Sequence, residues 1–326
     1  MSRVRRSPVR GERGVALLSA LFSVALLTII VIEMTDATLV HTHLTRNAGN
    51  AMAAQLLARS AELAGEALIS NDDANPQNVT CRQNPWALPL FGIPAGEGVV
   101  GLQVSDEGGK LDLNSVRDER YGNAVKSLFS SLDLDPSLVD RIAFWIRNEN
   151  DPAMATGGGS DYCALAMSCT PRHMPLHSLE ELLLLRGFDE QVLLRLRPYA
   201  TVVPPGPDGK PGTAKAVNPL TAEPLVLAAI GCERGSPPPD CPSSFANDEK
   251  KKEWQTEFDD WKKESCTPDA QRLLKTQSNL YSILASGTVG DVTQTLRTTV
   301  QRNGDKVTRL WWQERPLAET MPVEVR

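Results

Sequence analysis

Residues 13–32, RGVALLSALFSVALLTIIVI, decide the architecture of this chain. The eighteen residues after Gly14 carry no charge and are nearly all apolar. At about 1.5 Å of rise per residue they make roughly 27 Å of helix, close to the hydrocarbon thickness of a bilayer. Arg3, Arg5, Arg6, Arg10 and Arg13 precede them against a single acid, Glu12. That bias holds the N-terminus in the cytoplasm and sends the remaining chain across the membrane. A secretory signal peptide has a shorter apolar core followed by a small-residue cleavage site, and no such site follows Ile32. Helix-compatible sequence continues instead through AMAAQLLARSAELAGEALIS to Ser70. One helix over 15–70, half in the membrane and half out, is expected.

Charge and cysteines fit an exported body. The formal net charge is −6, and removal of residues 1–14, which carry a net +4, leaves −10. An acidic body outside the cytoplasm is not expected to take nucleic acid as a partner. All six cysteines lie beyond the apolar stretch, where an oxidising periplasm permits disulfides. None forms a C-x-x-C pair, which removes the usual spacing of zinc or thioredoxin-like chemistry. The expected bridges are Cys163 with Cys169 and Cys232 with Cys241, leaving Cys81 and Cys266.

Beyond the helix, residues 71–98 are rich in Pro, Asn, Asp and Gly and read as a loop. Gly96, Gly98 and Gly101 spell G-x-G-x-x-G, but a strand pattern follows and no βαβ unit surrounds it, so dinucleotide binding is not expected. VVGLQVS, the turn DEGG and KLDLN alternate in polarity and predict a β-hairpin over 99–114. Far away, YSILASG, DVTQTLRTTVQ and KVTRLWWQER predict two or three antiparallel strands, the last pair joined at Asn303-Gly304. One sheet interrupted by an insertion accounts for both regions.

The insertion reads as helical. Asp135-Pro136 starts a helix with Leu138, Ile142, Trp145 and Ile146 on one face. Ser178 and Glu181 form a capping box before EELLLLR, Gly187 ends that helix, and Asp189 opens QVLLRLR. This resembles a helix-hairpin-helix unit, with a weaker second one from Asn218-Pro219. The acids Glu180, Glu181, Asp189 and Glu190 around it are wrong for a phosphate backbone. Further on, Trp254, Phe258 and Trp261 place an aromatic face on a short helix, which is expected to dock on the sheet domain.

A basic leader ending in Gly, followed at once by an apolar helix that becomes an amphipathic stem, resembles the class III signal of type IV pilins and pseudopilins. The resemblance implies cleavage by a prepilin peptidase between Gly14 and Val15. The ordered set DEGGKLDLN, W-I-x-x-x-x-D-P with its Gly-rich acidic loop (Trp145 to Asp161), MPLHSLEELLLLRGF, PYATVVP and NPLTA resembles the minor pseudopilin K family of type II secretion systems. The implied fold is α+β: a transmembrane and stem helix, a pilin-like antiparallel sheet domain, and an inserted all-α, SAM-like domain. On this reading 1–14 is the leader, 15–70 the helix, 71–118 with 265–326 the sheet domain, 119–232 the inserted domain, and 233–264 a loop and amphipathic helix. The sequence departs from the family pattern at Ser19, Asp112, Arg147 and Leu220. Ser19 stands where most pilin-like subunits have Glu, which implies a place at the filament tip.

The same resemblance implies a single-pass inner-membrane protein with a periplasmic body. Its implied partners are minor pseudopilins of types I and J, the major pseudopilin and prepilin peptidase, and its implied role is to start pseudopilus assembly for protein export. Glu149, Asn150, Asp151 and Asp161 are candidate calcium ligands, because calcium takes six to eight oxygens and a Gly-Gly-Gly run lets the loop fold around it. No G-x-S-x-G, H-E-x-x-H or P-loop is present, and His41, His43, His173 and His177 form no evident site, so an enzyme is not expected. The alternatives are a membrane-anchored periplasmic hydrolase and another type IV pilus-like minor pilin.

Overall fold

The computed structural model describes residues 12–71, 79–147, 173–205, 215–241 and 248–314. Helix α1 spans Glu12–Ser70, and the chain divides between Ala53 and Ala54 into two compact units. In the first unit α1 is the sole described element, with Leu17, Phe22, Leu27 and their neighbours exposed.

The second unit begins within the same helix. It continues with β1 (Leu90–Ala95), β2 (Gly98–Asp106), β3 (Leu111–Asp112), α2 (Glu119–Ser131), α3 (Ser137–Trp145), α4 (Glu190–Leu196) and β4 (Ala200–Thr201). Then follow α5 (Pro224–Ile230), α6 (Asp248–Ser265), α7 (Pro268–Leu273), β5 (Leu280–Val289), β6 (Val292–Asn303) and β7 (Lys306–Glu314). Five strands form one antiparallel sheet in the order β1-β2-β5-β6-β7. The chain therefore leaves the sheet after β2 and returns at β5, and the helices fall in between.

Ala54, Ala58, Ala61, Gly65 and Ile69 make the buried face of α1 at helical spacing. Their small size has a visible cause at Gly287 on β5. A methyl group there would press on the Ala54 carbonyl and lie 2.7 Å from both the Ala58 nitrogen and Leu57 Cβ. The helix backbone thus rests directly on the sheet. Below it, Leu102, Val104, Ile283 and Val300 form a core closed by Trp86 and Tyr281, edge to face at 5.1 Å. Buried Glu62 ties the same helix to the sheet, accepting from Thr298 Oγ1 at 2.7 Å and Arg309 Nη2 at 2.9 Å.

Two strand expectations need correction. KLDLN does not fold back on β2; a 3-10 turn over Glu107–Gly109 redirects the chain, and β3 pairs in parallel with β4. The hairpin partner of β2 is β1, from the stretch read as loop. LFGIPA carries Gly and Pro, which an edge strand tolerates because its outer N–H groups need no partner. Each of the three hairpins turns on a glycine followed by an acid: Gly96, Gly290 and Gly304 have φ of 60°, 56° and 63°. A positive φ at the first of two loop residues is the type II′ arrangement, which suits the strand twist. Gly96, the first glycine of G-x-G-x-x-G, thus serves a turn.

The intervening helices share a larger core. α3 follows its expected pattern, with Leu138, Val139, Ile142 and Trp145 buried. α4 is capped by Asp189, which accepts from Val192 N at 2.8 Å. EELLLLR instead lies in a 3-10 helix, Leu179–Leu184, and Ser178 makes no side-chain cap. α2, unread in the sequence, supplies Tyr121, Val125, Leu128 and Phe129 to the centre. Trp254, Phe258 and Trp261 are buried as expected, but in the helical core and not against the sheet. Their indoles donate to Asp240 O at 3.0 Å and Ser236 O at 3.1 Å.

Candidate functional site

The first functional surface is the apolar segment of α1. From Val15 onward it is long and apolar enough to cross a membrane. Its few hydroxyls donate to their own backbone: Ser19 to Ala16 O at 3.0 Å, Ser23 to Ser19 O and Thr28 to Val24 O at 2.8 Å each. In hydrocarbon an unmade hydrogen bond costs several kcal/mol, and these internal bonds leave none of the three hydroxyls unpaired. Gly14 and Val15, the expected processing pair, lie in the opening turns of this helix, and Val15 is exposed.

A second constellation joins sheet and helices, and the sequence motifs converge on it. Asp106, at the end of β2, accepts from Gly108 N at 2.8 Å, Asn218 Nδ2 at 2.9 Å and Thr221 Oγ1 at 2.5 Å. DEGGKLDLN and NPLTA, more than a hundred residues apart, thereby form one unit. Burial pushes the Asp106 carboxyl up, against the pull of these donors. Asn218 also donates to Thr80 O at 2.9 Å. Asp112 accepts from Val203 N and Asn114 N at 3.1 Å and from Ser115 Oγ at 2.9 Å. Asn114 spans Leu176 and Val203 with bonds of 2.8–2.9 Å, bringing MPLH and PYATVVP into the same network. Three donors thus satisfy the buried Asp112 carboxyl.

Glu107 is the buried acid that this junction pairs with cations. Burial alone would raise its pKa, but Lys110 Nζ at 3.0 Å, Arg297 Nη2 at 3.5 Å and Ser282 Oγ at 2.5 Å lower it to about 2. Arg297 comes from β6 and Ser282 from β5, so Glu107 fastens the redirecting turn to the sheet. From the sequence, Asp106 and Glu107 are expected only as part of a turn and Asn218 only as a helix start. Their only local signal was membership of the motifs, which does not reveal contacts across 112 or 175 residues.

The expected Cys232–Cys241 bridge is not formed. Cys232 bonds Cys266, and Cys241 bonds Cys81. Although Cys232 and Cys241 are close in sequence, the chain between them runs past α6, whose indoles hold Ser236 and Asp240. Cys163 and Cys169 lie outside the described residues, as do Glu149, Asn150, Asp151 and Asp161. Arg147, just before that loop, stacks over Phe144 at 5.8 Å. Among the described residues no group of three or more His, Cys, Asp or Glu is placed to hold a metal.

A long N-terminal helix, apolar enough in its first part to cross a membrane, thus continues onto a five-stranded antiparallel sheet. Residues 109–205 match the family model for Type II secretion system (T2SS), protein K. A relative, "Type II secretion system protein K" of Klebsiella pneumoniae, is 24% identical over 201 residues. The match covers 58% of the chain and 62% of the relative. The chain also resembles, with TM-score 0.62 and 19% identity, a chain in the crystal structure of the GspK-GspI-GspJ complex from the enterotoxigenic Escherichia coli type 2 secretion system. That likeness covers 83% of this chain and 99% of the other, and establishes the shared fold.

Proposed function

We propose that the protein is a minor pseudopilin of a type II secretion system: a structural subunit that sits at the pseudopilus tip, helps start assembly and so supports export of folded proteins across the outer membrane. The observation that carries this reading is the pairing of an exposed, membrane-length helix with a protein K domain. Subunits of types I and J are its proposed partners, because the structural relative is described as a GspK-GspI-GspJ complex. Prepilin peptidase cuts after Gly14, the inner membrane stores the processed subunit with its body in the periplasm, and the major pseudopilin follows it into the filament. Ser19 offers no carboxylate to an earlier subunit's N-terminal ammonium, so a first position loses least; an unpaired charge among apolar helices costs several kcal/mol. Calcium held by Glu149, Asn150, Asp151 and Asp161 belongs to the same proposal.

Coexpression of the full chain with subunits of types I and J, followed by purification in a non-ionic detergent, tests the partnership. A three-chain complex whose K subunit begins at Val15 supports it. Recovery of each subunit alone, or a mature chain retaining Met1, overturns it. Immunogold labelling at one end of the filament is the expected placement, and regular labelling along its length refutes the tip assignment.

A further inference from the structure

A cleft of about 390 Å³ lies in the helical part, on the segment that follows Asn218. One wall is Pro219, Leu220, Pro224 and Leu227, at the entry to α5; the other is the run Pro237-Pro238-Pro239. Both walls are held in place. Trp254 and Trp261 donate to the carbonyls of Asp240 and Ser236, on either side of the prolines. The bridges Cys232–Cys266 and Cys81–Cys241 fasten the two ends of the same segment. Proline already fixes its own φ, so little freedom remains to be lost when something binds. The volume falls within the ordinary range for a specific pocket, roughly 300–1,000 Å³.

The charge around the cleft is one-sided. Among its described lining residues the one cation, Arg82, is half exposed but already paired, donating to Glu223 Oε1 at 2.8 Å and Thr221 O at 2.7 Å. Glu233 and Asp240 also line it, and both are solvent-exposed. An apolar slot with two carboxylates at its margin is complementary to an aliphatic side chain with a cation beside it.

We propose that this cleft is a docking groove for an extended segment of another protein, in which a leucine-like side chain enters between the proline walls and flanking Lys or Arg residues face Glu233 and Asp240. The proposal is independent of the secretion assignment, because it uses only the cleft. Fluorescence anisotropy on the full chain in non-ionic micelles tests it, with two labelled nonapeptides sharing a Leu-Pro-Leu centre, one flanked by arginines and one by glutamates. The arginine peptide should bind at least about tenfold more tightly, the ratio expected where charge complementarity sets specificity. The double variant Glu233→Lys, Asp240→Lys, both on exposed positions, should reverse that preference while leaving the circular dichroism spectrum unchanged. Leu220→Gln should weaken both peptides. Equal binding of the two peptides, no saturation with the arginine peptide up to millimolar concentration, or a preference that the double variant leaves intact each overturns the proposal.

Discussion

Gly287→Ala should separate the stem helix from its sheet. Gly287 has an ordinary backbone conformation, so alanine brings no torsional strain, and the whole cost comes from contact. The added methyl would meet Ala54 O, Ala58 N and Leu57 Cβ, of which two are main-chain atoms of α1. A helix backbone cannot move aside as a side-chain tip can, so the cost belongs at the upper end of overpacking, about 3 kcal/mol. Gly65→Ala is the matched control on the helix side of the same interface. Its methyl would meet Ile283 Cγ2 at 2.9 Å and Leu102 Cδ1 at 3.0 Å, side-chain methyls that can give more readily than a helix backbone. The gain in helix propensity, about 1 kcal/mol, offsets much of that crowding. Gly49→Ala, with nothing within 4 Å, should be neutral to stabilising. Thermal unfolding of the full chain in micelles, followed by circular dichroism at one scan rate, should show Gly287→Ala lowered by roughly 6–12 °C. Gly65→Ala should stay within about 3 °C of the parent on the same scale. Equal melting of the Gly287 and Gly65 variants would refute the close backbone approach.

Other outcomes follow from the junction, the bridges and the loop. Glu107 has its pKa lowered from 4.5 to about 2, so its contribution is complete above pH 4.5 and is lost as pH falls toward 2. At most about 3 kcal/mol is involved. Asp106 is shifted the opposite way by burial, so acidification favours its folded, neutral form and partly compensates. Glu107→Gln should therefore be less stable at neutral pH yet lose less between pH 4.5 and 2; an unchanged acid limb in urea titrations would count against the assignment. Non-reducing peptide mapping should return Cys81 joined to Cys241 and Cys232 joined to Cys266, and a Cys232–Cys241 peptide would contradict the structure. Millimolar calcium added to chelator-treated protein should raise the melting temperature, and Asp151→Asn with Asp161→Asn should abolish the rise; no response in the parent sinks the calcium proposal. Gly14→Leu should leave the leader attached, because a peptidase site at a membrane face needs a residue without a side chain; intact mass reads the result directly.

Periodicity and charge over 1–70 determined the helix, its membrane-length segment and its expected orientation, because each of those properties is local in the chain. Alternation of polarity and the Asn303-Gly304 signal likewise made β5, β6 and β7 legible, where strand and partner are neighbours in sequence. The same logic failed where a segment's partner is distant. KLDLN alternates like a hairpin arm, yet Leu111 and Asp112 pair with Ala200 and Thr201, and β2 takes its hairpin partner from the Pro- and Gly-bearing stretch before it. Cys232 took Cys266 and not its near neighbour Cys241, because two buried tryptophans route the intervening segment past α6. The motifs were legible as a set, but their purpose was not: Asp106, Asp112, Asn114 and Asn218 are buried together as a polar brace. A buried polar group must find its partner wherever the fold supplies one, and that partner carries no mark in the sequence beside it.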